Sequence, residues 1–294
     1  MFINTEYKSK NHRDRKGEKI QFLILHYTDV PLWTTLGILT NDVALAENDR
    51  LCYTDPEFNF TELCANEFST HYVNSEAGHI YQLVDEARSA YHAGVSFWSG
   101  QKNINDQSIG IENVNLGFKR EELKFPMERG ATVQGSPNLW CKFSTEQISA
   151  LITLCKKIII EHDIMPYDVL GHSDIACGRK LDPGPLFPWQ VLAEAGIGLW
   201  YDVTESNINA ANMPSNPVLW AQQKLAEYGY DCEQTEILDF KTRNVLQAFQ
   251  MHFRQDNING EIDLECLQIL DSLCQRKYKL QPEEKTSYIV QILN

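Results

Sequence analysis

No stretch of this sequence approaches the roughly 20 consecutive apolar residues that a membrane-spanning helix needs, so no integral membrane segment is expected. The opening stretch, MFINTEYKSKNHRDRKGEK, is polar and cationic and has no apolar core after its charges, which excludes a signal peptide there. Two readings stay open: a protein that stays inside the cell, or one whose native leader was removed and replaced by Met1. Positive charge is also scarce, with 26 Lys and Arg against 40 Asp and Glu, a net charge of −14. The acidity is spread along the chain rather than gathered in a tail, which argues against nonspecific nucleic-acid binding and against an anionic membrane surface. None of the eight cysteines is spaced C-x-x-C, so redox or structural zinc motifs of that spacing are absent. A disulfide framework is not expected in a chain this long, and a single bridge is left open. Cys155 falls among Leu151, Ile152, Leu154 and Ile158, and most of the thiols are read as core residues. What is present suits a folded protein: 294 residues suggest two domains, and 43% apolar with 11% aromatic residues is enough for a core.

The densest chemistry lies in 171–185, GHSDIACGRKLDPGP. Lys180 and Asp182 are two residues apart, and in an extended segment they point the same way. A carboxylate ligand and a positive electrophilic aid can then reach one point. Far upstream, QFLILHYT is a short apolar run that suits a strand buried on both faces, with His26 at the sheet rim. A second such run, SIGIE, ends in Glu112. Three protein ligands and one open position define a catalytic zinc. His26, His172 and Asp182 would supply them, with Glu112 as the base beside them. Singly, each has a structural alternative: a hydrogen-bonded strand-end His, a solvated strand-end Glu, a turn-forming Asp before Pro-Gly. Cys177, in the same loop, is a weaker candidate ligand.

The segments FLILHYT, STHYV, GHIYQLV, YHAG, SIGIE, VLGHSDIACGRKLDPGP and FPW follow one another between residues 22 and 189. With them the chain resembles the zinc-dependent N-acetylmuramoyl-L-alanine amidases of the type-2 amidase family. The resemblance implies one Zn²⁺ per chain on His26, His172 and Asp182, Glu112 as acid/base and Lys180 as the oxyanion-stabilising group. It implies hydrolysis of the amide joining N-acetylmuramic acid to L-alanine, with peptidoglycan or muropeptides as partner; no nucleic acid is expected, given the charge balance, and the chain is expected to be a monomer. His71 and His92 lie in its motifs as candidate groove residues, a structural hydrogen bond being the alternative. Arg179 is a candidate for a peptide carboxylate, an exposed salt bridge being the alternative. Cys177 stands where the family often has Pro, and Tyr91 precedes His92 where Trp is common. A longer polar segment, 119–142, follows SIGIE. These departures leave the chemistry intact and the substrate detail open. The implied compartment is the periplasm or cell envelope, with the cytoplasm as alternative. Rival functions are a non-catalytic peptidoglycan receptor on the same fold, a cytoplasmic amidase recycling muropeptides, and another amide hydrolase such as a peptidase.

The pattern predicts an α/β fold: a mixed central sheet flanked by helices with the zinc site at its rim, plus a small C-terminal three-helix domain. Strands are expected at 21–27, 69–74, 79–84 and 108–114, and helices within 31–47, 144–162 and 188–195, after a loose lead-in over 1–19. Either Ser144 or Thr145 caps the long helix. The organisation expected is a catalytic domain over 1–206, an Asn-, Ala-, Pro- and Ser-rich linker over 207–216, and a helical domain over 217–294. Trp220, Leu225 and Gly229-Tyr230, then AFQMHF and NGEID, resemble a peptidoglycan-binding domain. A helical appendage that only stabilises the catalytic part is the alternative. The linker composition predicts few core contacts across it.

Overall fold

The computed structural model describes residues 1–52, 59–118 and 139–280. At its centre is a six-stranded sheet of β1 (Ile3–Asn4), β3 (Phe22–Tyr27), β4 (Tyr72–Asn74), β5 (Ile80–Gln82), β9 (Ser108–Asn113) and β10 (Val169–Gly171), in the order β1-β5-β4-β9-β3-β10. β3 runs parallel to both β9 and β10, and β4 parallel to β9, while β4 and β5 form an antiparallel hairpin. The sheet is therefore mixed, as expected. Two antiparallel pairs stand apart from it: β2 (His12–Asp14) with β6 (Arg88–Ala90), and β7 (Phe97–Trp98) with β8 (Gln101–Lys102). Helices α1 (Leu32–Thr40), α2 (Val43–Ala46) and α3 (Phe60–Cys64) lie between β3 and β4.

Side chains alternate along a strand, so each central strand feeds two cores. Leu23 and Leu25 of β3 and Ile109 and Ile111 of β9 go to one face. There α4 (Thr145–His162) covers them with Leu151, Leu154, Cys155, Ile158 and Ile159. Ser144 caps α4, its Oγ accepting the Gln147 N–H at 3.0 Å. Phe22 and Ile24 go to the other face, with Leu170, Trp98 and Ile175.

That second face is closed by the C-terminal helices α7 (Pro217–Tyr228), α8 (Phe240–Phe253) and α9 (Leu264–Lys279), which follow the short α5 (His172–Ile175) and α6 (Trp189–Glu194). Asn216, Asp239 and Asp263 cap the three, each side chain accepting a backbone N–H of the first turn. Trp98 stands edge-on to Tyr228 and Tyr230, at 5.8 and 4.8 Å between ring centroids. Gly229, at φ +141°, lets α7 end against that indole, since a Cβ there would lie 2.6 Å from the ring. Trp189 stacks on His252 at 3.7 Å. The few contacts expected across 207–216 are in fact a shared apolar cluster reaching from Phe22 to Cys274. An apolar helix face reads the same in sequence whether it covers its own domain or a neighbour.

The lead-in is likewise built into the fold rather than loose. Ile3 and Asn4 pair with Ile80 and Tyr81, and His12–Asp14 with the strand at 88–90. Arg15 is buried, and its guanidinium donates to the carbonyls of Glu86, Asp106 and Ser108. Burial pulls its pKa down to about 10, against the nearby Asp106 and Glu86 charges. Charged residues signal a solvated segment only when no carbonyls wait to be satisfied. The polar segment 119–142 lies outside the described residues through 138, as do 281–294. Among the described residues no helix is long and apolar enough to cross a membrane.

Candidate active site

Three adjacent parallel strands bring the predicted residues to one edge, at the carboxyl ends where open α/β sheets build their sites. His26 and Glu112 are register partners near the ends of β3 and β9. On the other side of β3, β10 ends at Gly171 and His172 opens α5. The following loop returns so that the Ser173 N–H donates to the Asp182 carbonyl at 2.8 Å. His26 Nδ1, His172 Nδ1 and Asp182 Oδ2 then stand 2.9, 2.9 and 3.1 Å from one another. Metal–ligand bonds of 2.0–2.1 Å would put donor atoms roughly 3.3 Å apart, so the trio is spaced to fit a single cation. All three residues are buried, and together they form a group able to hold a metal ion.

The outer contacts fix which nitrogen faces the trio. His172 Nε2 lies 3.1 Å from the Ala93 carbonyl, to which it donates, leaving Nδ1 as the lone-pair side. His26 Nε2 lies 3.0 Å from His92 Nδ1, whose own Nε2 meets Ser108 Oγ at 3.2 Å. Burial lowers the His26 pKa to about 4, and the Asp182 hydrogen bond only partly offsets this, so its imidazole is neutral at neutral pH. Asp182 is held below the usual carboxylate range: burial acts to raise it, but the charge and hydrogen bond of His172 and the hydrogen bond of His26 outweigh burial.

Glu112 has the opposite character. Burial and the Asp182 charge push its carboxyl well above the usual range, with Lys180 acting the other way. Oε1 is 4.0 Å from His26 Nδ1, and Oε2 is buried with no hydrogen-bond partner among the described residues. An unpaired buried carboxylate oxygen beside three convergent donors suits a proton acceptor waiting for its substrate. Lys180, exposed, lines the same cavity of about 800 Å³ together with Glu112, His172 and Asp182. Ile38, Leu39, Leu63 and Phe68 give the cavity apolar lining.

Of the remaining candidates, His92 lines the cavity while serving His26. Gly110, the glycine of SIGIE, admits its ring, because a Cβ there would lie 2.6 Å from the imidazole. His71 is fully buried and lies behind the site. It accepts the Gly110 N–H on Nδ1 at 3.0 Å, and Nε2 is 3.0 Å from the Arg88 carbonyl. Arg179 reaches the cavity, yet its guanidinium donates to the Ala93 and Val95 carbonyls and so braces the loop that holds His172. Cys177 is turned away from the trio, its thiol donating to the Asp174 carbonyl. Two residues outside that set also hold the site. Asn105 holds the His92 and Ala93 N–H groups through one side-chain oxygen. Asp174, inside the quoted motif, is fully buried. For Asp174 the cue was its place three residues after Gly171, the reach of a helix-capping carboxylate.

Residues 16–185 match the family "N-acetylmuramoyl-L-alanine amidase", and residues 214–270 match the family "Putative peptidoglycan binding domain". The chain is 36% identical to N-acetylmuramoyl-L-alanine amidase AmiD of Escherichia coli over 88% of its own length and 83% of that protein. It is 31% identical to the 1,6-anhydro-N-acetylmuramyl-L-alanine amidase AmpD of the same species over 44% of its length and 59% of AmpD. Among solved structures it is similar to AmiD from E. coli in complex with anhydro-N-acetylmuramic acid-L-Ala-D-γ-Glu-L-Lys, with a TM-score of 0.67, 32% identity and coverage of 92% and 93% of the two chains. AmpDh3 from Pseudomonas aeruginosa in complex with anhydromuramic pentapeptide gives 0.66 and 32%, covering 92% and 95%.

Proposed function

The chain belongs to the N-acetylmuramoyl-L-alanine amidase family, and from that premise we propose how its own residues carry out the hydrolysis. His26, His172 and Asp182 hold a single zinc ion. The observation that carries this reading is the convergence of their three donor atoms within 3.1 Å beside the unpaired Glu112 oxygen. Imidazole and carboxylate donors suit zinc, and two of the three are oriented by outer hydrogen bonds. Zinc held there would supply Lewis-acid polarisation of the carbonyl and make water a better nucleophile at neutral pH.

Glu112 takes a proton from the attacking water and passes it to the departing L-alanine nitrogen, so the amide C–N bond breaks and a free peptide amine forms. Its buried setting makes it a stronger base than an exposed glutamate. Lys180 stabilises the oxygen that becomes negative as the carbonyl carbon turns tetrahedral. The cavity of about 800 Å³ with its apolar lining supports a muramoyl peptide as the substrate. The envelope is the compartment that fits such a substrate and the helical domain matched at 214–270.

The test is peptide release from intact sacculi and from soluble anhydro-muropeptides, followed by mass spectrometry and metal analysis. Stem peptides with a free L-alanine amine are expected from both, with one zinc per chain that His172→Ala abolishes. Binding to sacculi without release from either substrate would favour the receptor reading. Release from the soluble fragments alone would favour the recycling enzyme.

A further inference from the structure

Asp174 lies two residues beyond His172, is 1% exposed, and takes no part in the three-donor centre. Three donors hold its carboxylate. The Gly171 N–H donates to Oδ2 at 2.7 Å, His252 Nδ1 donates to Oδ2 at 2.8 Å, and the Tyr230 hydroxyl donates to Oδ1 at 2.7 Å. The first comes from the strand end that carries His172. The other two come from the C-terminal helical region. Gly171 also lies beneath the second ligand-bearing segment, since a Cβ on it would be 2.7 Å from Pro183, next to Asp182. The same region grips the loop again farther on, where a Cβ at Gly178 would lie 2.5 Å from the Asn244 amide.

We propose that the C-terminal helices position the metal centre: Tyr230 and His252 fix Asp174, and Asp174 fixes Gly171 and hence where His172 Nδ1 stands relative to His26 and Asp182. A buried carboxylate is a poor way to glue two surfaces, because an apolar replacement of similar volume often holds at least as well. What three directed donors add is a single geometry. Tyr230 and His252 are thus positioning residues. This function is separate from any grip on the cell wall, and it rests on His172 being a ligand.

The test uses the full chain with Tyr230→Phe, His252→Leu and His252→Asn. The asparagine Nδ2 stands where the imidazole Nδ1 was, so it can keep the donor. Zinc affinity is measured by chelator competition, kcat and KM on a soluble muramoyl peptide, and Tm on each variant. Tyr230→Phe and His252→Leu should each weaken zinc binding about tenfold, the scale seen when a metal ligand loses its outer support. Both should lower kcat with little change in KM, and His252→Asn should recover most of the loss. Unchanged zinc affinity and kcat with a lowered Tm would overturn the proposal and leave only packing. If His252→Leu does not fold, Tyr230→Phe decides, because it removes one oxygen and keeps the ring. A His172→Ala control separates the two ideas. Zinc retained in it overturns the ligand assignment, whereas zinc lost there but unaltered in Tyr230→Phe overturns the positioning role alone.

Discussion

The two faces of the central sheet are made from the same strands and do different work. Leu23, Leu25, Ile109 and Ile111 face α4 and are purely packing residues. Their neighbours on the other face, Phe22 and Ile24, run into His26, and Gly110 runs into Glu112. That face divides its area between chemistry at the rim and a core shared with the C-terminal helices. The buried residues of the packing face all come from before residue 207. Those of the site face do not, and its apolar half is supplied from beyond residue 216. A rim site needs space and polar atoms, so the core beneath it has to be closed by something else.

The largest effect should come from removing that cover. A chain cut within 207–216 would expose Ile24, Trp98, Ile175 and Leu170, all buried in the shared cluster. We expect it to lose its cooperative thermal transition or to aggregate, as read by calorimetry and size-exclusion chromatography. A soluble fragment with native Tm would show that the site face closes by itself and would dissolve the contrast between the faces.

Next comes a pair of adjacent residues on opposite faces. Glu112→Gln should lower kcat by about 10²–10⁴ while zinc content and fold persist. In the metal-free protein it should also raise stability at neutral pH. A carboxyl whose folded pKa is raised costs stability as pH climbs above its unfolded pKa, and glutamine escapes that cost. Ile111→Ala, one position earlier and fully buried on the packing face, should cost about 2–5 kcal/mol by denaturant titration and leave kcat of the folded fraction intact. Near-native turnover in Glu112→Gln would remove Glu112 as the base.

The legibility of the two faces in sequence differs for the same reason. Apolar runs such as FLIL and the helical spacing over 145–162 identify packing elements directly, because burial leaves a periodic trace. The convergence of His26, His172, Asp182 and Glu112 was legible only from the set, because each alone has a common structural reading while their motifs occur together in family order. The partners of Asp174 were not legible, since Tyr230 and His252 lie more than 50 residues away and look like ordinary helix-end aromatics. The lead-in reads as solvated because a stretch rich in Lys and Arg gives no sign of the carbonyls that its buried Arg15 satisfies. His71 carried a family motif, yet its place behind the strand shows only when Gly110 is seen to donate to it.

A pH experiment sharpens the contrast at smaller scale. Burial and the adjacent Arg15 charge lower the His71 pKa to about 3. The unfolded chain then binds a proton that the folded chain refuses at pH values below about 6.5. Stability from this residue is fully present above that value and falls as pH drops toward 3, by about 1.4 kcal/mol per unit. Denaturant titrations at pH 7.5, 6 and 5 should show the slope, and His71→Asn should lower it by about that amount, the lowered pKa of His26 contributing in the same direction. A slope unchanged in His71→Asn would assign the acid sensitivity to other groups.

The smallest effect belongs to the packing face, at the start of α4. The sequence allows either Ser144 or Thr145 as the cap. The structure chooses Ser144, which is extended at φ −73° and ψ 157° and accepts the Gln147 N–H. Gln147 does not complete the reciprocal pair. Its amide instead donates to the Asn74 and Val114 carbonyls and ties the helix to the sheet. Ser144→Ala should therefore cost about 1 kcal/mol, because one first-turn N–H loses its partner. Thr145→Ala lies inside the helix and should stay within about 0.5 kcal/mol of the parent. Neither should alter kcat, since α4 covers only the face that carries no chemistry. A fall in kcat in Ser144→Ala at unchanged zinc content would mean that the two faces are mechanically coupled through β4 and β9, and that the division of labour between them is less sharp than their residues imply.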